Sequence, residues 1–133
     1  MKKALVLISF FALLIACGHD PKKEEHALNE TVMALHDSTM AQMETLMSMQ
    51  EQIKKAMQTD SSQKPKADSL VYALGAADNA MMDWMSDFDA KYIDAGHTHE
   101  EVMKYLEEQK KAIVQVKEQT DLSIKNAKMF VKK

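Results

Sequence analysis

The chain has 133 residues, enough for one modest domain, with 17 Lys, no Arg, 20 acidic residues, 12 Met, three Gly, two Pro and one Cys. One Cys excludes an internal disulfide framework and a multi-cysteine zinc site, and three Gly leave no phosphate-cradling loop. A net charge of −3 without Arg argues against nucleic acid as a partner, because phosphate backbones are gripped by basic, guanidinium-rich surfaces.

Lys2 and Lys3 precede a run from Ala4 to Ala16 that is apolar except for Ser9. As a helix it would span about 20 Å, short of the roughly 30 Å hydrocarbon core of a bilayer. The pattern is that of a secretory signal peptide, residues 1–16. Its end, Leu14-Ile15-Ala16-Cys17, resembles the lipobox of bacterial lipoproteins. That resemblance implies that Cys17 becomes the first mature residue and carries a diacylglycerol on its thiol. Two or three acyl chains anchor durably, at about 0.8 kcal/mol per buried methylene. The mature chain, 17–133, keeps 15 Lys against 20 acids, a formal charge of −5. Residues 17–25 are polar, contain Pro21 and are expected to form a tether. Gly18 rather than Asp after the Cys resembles outer-membrane sorting, and Lys23-Glu24-Glu25 resembles a surface-export signal. Either placement makes the lipid anchor the membrane contact, facing the periplasm or the cell surface.

The bundle is expected over 26–133. From Glu25 to Gln58 there is no Gly or Pro, and Leu28, Val32, Leu35, Leu46, Met49, Ile53 and Met57 recur at helical spacing. A second row, Met33, His36, Met40, Met43 and Met47, runs beside it, so the spacing predicts one helix over 25–58. Thr59 to Lys66 carries turn formers and Pro65, which predicts a loop. The next helix is expected over 67–94, on Leu70, Leu74, Ala77, Met81, Met85, Phe88 and Tyr92, with Val71, Met82 and Trp84 at its edges. Gly96 suits a left-handed helix stop, and Thr98 with Glu101 suits a capping box. The last helix, 98–131, carries a heptad-like stripe from Val102 to Val131. Short connections then predict an all-α, elongated, antiparallel three-helix bundle. A homo-oligomer or an envelope protein is the expected partner of its exposed stripe.

Ala34 to Met43, Ala77 to Met85, the run Tyr105-Leu106-Glu107-Glu108-Gln109-Lys110 and Ser123-Ile124 resemble a group of small helical lipoproteins of Gram-negative bacteria. Members of that group often carry the label "viral A-type inclusion protein". The resemblance implies helical architecture and an envelope location. It brings no activity and no catalytic residue.

One constellation has the chemistry of a metal site. Met33, His36, Met40, Met43 and Met47 face Met81, Met82 and Met85 in the expected bundle, and thioethers with imidazole suit Cu(I). The competing reading is packing, since Met is a flexible core filler. His36 would then sit at the core edge beside a carboxylate, Asp78 or Asp37. Noncovalent haem on His36 and a Met is a weaker variant, as no Cys-x-x-Cys-His motif exists. His97 and His99 lie two apart, a poor spacing for one ion on a helix, so capping is the simpler role. No Gly-x-Ser-x-Gly elbow is present, and paired acids such as Glu100-Glu101 suit a solvated face. Lys132-Lys133 resembles the end of helical lipoproteins joined to peptidoglycan, although terminal Lys also suits a helix end. The sequence thus predicts a non-enzymatic structural or interaction module without a cofactor, with Cu(I) binding as the alternative.

Overall fold

The computed structural model describes residues 20–132; the expected signal peptide, Cys17 and Lys133 lie outside the described residues. Among the described residues four α-helices form: α1 Pro21–Met40, α2 Met43–Thr59, α3 Lys64–Asp87 and α4 His99–Val131. Two 3-10 turns, Ser61–Gln63 and Tyr92–Asp94, flank α3. Among the described residues there is no strand, and no helix is long and apolar enough to cross a membrane.

Helices α1 and α2 follow each other along α4 in its own direction. Leu28 of α1 clusters with Val102 and Leu106 near the start of α4, and Met49 and Gln52 of α2 meet Val131 at its end. Helix α3 runs the other way. Its start, Lys66 and Leu70, shares a groove with Asn126 and Phe130. Its middle is tied by Ser123 Oγ donating to Ala73 O at 3.3 Å and Gln50 Nε2 donating to Val71 O at 3.4 Å. Its end, Trp84 and Asp87, shares a groove with Gln109 and Ala112. The result is an all-α three-helix bundle whose first rod is made of α1 and α2. Its longest helix has 33 residues and so spans about 50 Å. Val32, Leu46, Ile53, Leu74, Met81 and Ile113 are fully buried between the rods.

The helix expected over 25–58 is two helices. Ser38 Oγ and Thr39 Oγ1 both donate to Leu35 O, at 2.9 and 2.8 Å. Such back-bonding crowds a carbonyl of the helical ladder and bends the helix. The chain then tightens, with Gln42 N–H bonding Thr39 O, and α2 restarts at Met43. Thr39 itself is fully buried, holding the core position between Leu35 and Met43.

Three other boundaries move. Pro21–Glu25, expected as tether, is the first turn of α1, because Asp20 Oδ1 caps Lys22 N at 3.1 Å and Pro21 fits where no N–H partner is needed. Most of the loop expected over Thr59–Lys66 is helical. Asp60 caps the Ser61–Gln63 turn, and Pro65 falls in the first turn of α3. The second long helix ends at Asp87 rather than Asp94. Phe88 turns extended, Asp89 N–H donates to Tyr105 Oη at 2.7 Å, and Asp89 Oδ1 accepts from Lys91 N. Residues 88–98 thereby fold over the end of the bundle and bury Ile93 against Leu28, Val102 and Leu106. Gly96 adopts φ +85°, where a side chain would be strained, but it closes this segment rather than a helix. The capping box at Thr98 and Glu101 forms as the sequence predicts.

Truncating fully buried Leu46 to Ala is expected to cost about 2–5 kcal/mol. Thr120 is also fully buried, and its hydroxyl has no partner among the described residues. Thr120→Val is therefore expected to raise stability by about 1 kcal/mol. Urea unfolding at unchanged m value checks both; a destabilised Thr120→Val would show that the hydroxyl is satisfied.

Candidate functional site

The Met and His residues singled out by the sequence occupy unlike environments. Met43 and Met81 are buried in the main core cluster, while Met33 and Met85 are half-buried. Met40, Met47 and Met82 are exposed, by 38%, 53% and 55%. The His36 ring stacks on Trp84 with centroids 5.5 Å apart, and its Nδ1 lies 2.9 Å from Asp37 Oδ1. Of the two carboxylates considered for His36, the neighbour Asp37 supplies the contact. Asp78 is half-buried on α3. Among the described residues, no group of three His, Cys, Asp or Glu side chains could hold a metal ion.

A different cluster lies at the start of α1. Glu25 is 1% exposed. Its Oε2 accepts from Lys22 Nζ at 2.7 Å, and its Oε1 lies 2.9 Å from His99 Nδ1. An ionised carboxylate only accepts, so His99 carries the proton on Nδ1. Lys22 Nζ also donates to Ile93 O at 3.3 Å, and Glu24 Oε2 lies 3.5 Å from His99 Nε2. The Lys22 hydrogen bond first, and then that from His99, hold the Glu25 carboxyl below the usual carboxylate range against the opposing effect of burial. The cluster joins α1, the 88–98 segment and α4 at one point.

This buried acid escaped the sequence reading. Glu25 precedes Leu28 by three and Val32 by seven, so it sits in the apolar row of α1. An acid on that row was the available signal. Its partner His99 lies 74 positions away, which no local pattern reveals.

A ladder of rings runs from α1 to the same end of the bundle. After His36 and Trp84 come Trp84–Phe88 at 4.9 Å, Phe88–Tyr105 at 6.2 Å, Tyr105–Tyr92 at 4.1 Å and Tyr92–His97 at 4.0 Å. Stacked pairs of this kind contribute about 0.5–1.5 kcal/mol each beyond burial. Burial, ahead of the opposing Asp89 hydrogen bond, raises the Tyr105 phenol above its usual value. His97 is therefore a ring partner, and His99 an acid partner.

Charge is distributed unevenly along the bundle. Residues 20–40 and 78–117, the half holding Glu25, carry 14 acids and 7 Lys. Residues 41–77 and 118–132, the far half, carry 6 acids and 7 Lys. The far half includes Lys125, Lys128 and Lys132, which line a groove of about 380 Å³ with Met129.

The fold class is thus an all-α three-helix bundle with an acidic and a neutral-to-basic end. Comparison with protein-family models, curated proteins and solved structures gives no match for this chain.

Because the Glu25 pKa is lowered on folding, its contribution to stability is present above the usual carboxylate range and is lost as pH falls through the lowered value. Thermal unfolding between about pH 6 and about pH 3 is expected to show a steeper loss of Tm in the parent than in Glu25→Gln. Parallel Tm curves would remove Glu25 as the acid-sensitive tie.

Proposed function

We propose that this protein is a lipid-anchored lipoprotein of the cell envelope, and that its helical rod is a structural or protein-interaction module without catalysis. The observation that carries the reading is the Leu14-Ile15-Ala16-Cys17 lipobox set directly upstream of the rod. Only Gly18 and His19 separate Cys17 from Asp20, the N-cap of α1. The anchor is then joined almost directly to the acidic end, and the other end lies about 50 Å further along the rod. Outer-membrane placement is supported by Gly18 after the Cys.

The shape supports an interaction role more than chemistry. The larger grooves are shallow and lined by Lys, Gln, Asn, Asp and apolar side chains. The Met and His donors of the Cu(I) reading are divided between core and surface, which favours packing as the role of Met43 and Met81.

Cys17→Ser is expected to abolish fatty-acid labelling and to release the protein from sedimented membranes. Retention of the label on Cys17→Ser would reject the lipoprotein reading. A labelled parent that nonetheless stays soluble would reject the anchor.

A further inference from the structure

Three of the exposed large apolar side chains, Tyr72 at 79%, Leu122 at 58% and Met129 at 53%, lie on the sides of α3 and α4 turned away from the core. Their placement follows from the register. The Ser123–Ala73 bond fixes two antiparallel helices, and helical periodicity puts Ser69, Tyr72, Ala76 and Asp83 on the outer row of α3. Gln115, Gln119, Leu122, Asn126 and Met129 form the matching row of α4.

Two grooves lie on this one face, at its two ends. One, of about 490 Å³, is lined by Lys66, Leu70, Met129 and Phe130 among others. The other, of about 360 Å³, is lined by Asp83, Trp84, Asp87 and Gln109 among others. The charges are opposite, Lys66 at one end and Asp83 with Asp87 at the other. None of the three has an ion-pair partner among the described residues. Between the grooves the α3 side chains beside Tyr72 are small, Ala73 and Ala76, so another helix can approach there.

We infer that this face pairs with the same face of a second copy, antiparallel, about a twofold axis near Ala76 and Gln119. A twofold interface must be self-complementary, each patch meeting its counterpart. Rotation about that axis lays the Lys66 end of one copy on the Asp83–Asp87 end of the other, twice over. Parallel pairing would set Lys66 on Lys66 and acid on acid, so charge selects the antiparallel arrangement. A face about 35 Å long and two helices wide offers about 700 Å² per copy, close to the roughly 800 Å² of a standard interface. The pairing does not depend on lipidation of Cys17.

The full chain carrying Cys17→Ser, in mild detergent, provides the test. Sedimentation equilibrium is expected to give a dimer of the 15.1 kDa chain. Lys66→Glu alone and Asp87→Lys alone are each expected to weaken association about tenfold, and the two together to restore most of it. Ala76→Cys in the same background is expected to form a disulfide-linked dimer under oxidant. Met47→Cys, on exposed α2, is the control that stays monomeric. A monomer at high micromolar concentration would overturn the proposal. So would a dimer indifferent to both charge reversals and crosslinked no better at Ala76→Cys than at Met47→Cys.

Discussion

One apolar stripe of α4 holds the molecule together. Val102, Leu106, Ile113, Val116, Thr120, Ile124 and Ala127 are all buried, spaced so that they stay on one side of a 33-residue helix. Isolated helices of this composition are marginal in water, and tertiary burial decides whether they persist. Each fully buried Leu, Ile or Val contributes about 1.5–3 kcal/mol. The stripe is wide enough to serve α1 on its first half, α2 on its second and α3 along its length. Breaking the first rod into α1 and α2 costs little under this arrangement, since each piece has its own stretch of α4 to cover.

The two ends of the bundle are built differently. At the end that holds Glu25, polar and ring contacts supplement a thin core. Glu25 ties α1 to α4, Tyr105 Oη receives the Asp89 N–H, and five ring pairs link α1, α3, the 88–98 segment and α4. At the far end, apolar packing of Ile53, Ala67, Ile124 and Ala127 suffices, and the surface carries Lys instead. An acidic end and a more basic end give the rod a direction, and a second copy laid antiparallel matches unlike ends. Antiparallel pairing would set the two Cys17 anchors at opposite ends of the paired rods, so the proposed dimer lies along the membrane rather than upright on it.

Helical periodicity made the class of fold and the burial of α4 legible. Val102, Leu106, Ile113, Val116, Thr120 and Ile124 were all readable from their spacing. The capping box was equally legible, because Thr98 and Glu101 interact within one turn. Boundaries failed where side chains overrode the pattern. Ser38 and Thr39 bond back to Leu35, yet the apolar period continues through them. Phe88 and Tyr92 keep helical spacing while serving a folded-back segment fixed by Tyr105, 16 positions beyond Asp89. Trp84, read as an edge residue, is buried because His36 and Phe88 stack on it. For the Met row, spacing placed residues on a broad face without telling which of them the neighbouring rods cover. Glu25 was hidden for the same reason, since its buried state depends on His99 from the far side of the chain.

The intact mass of the protein extracted from membranes tests most directly whether this rod stands on a lipid anchor. A mature chain beginning at Cys17, heavier by a diacylglycerol and an amide-linked acyl chain, is the expected result. A chain retaining residues 1–16, or one carrying an unmodified Cys17 thiol, would contradict it.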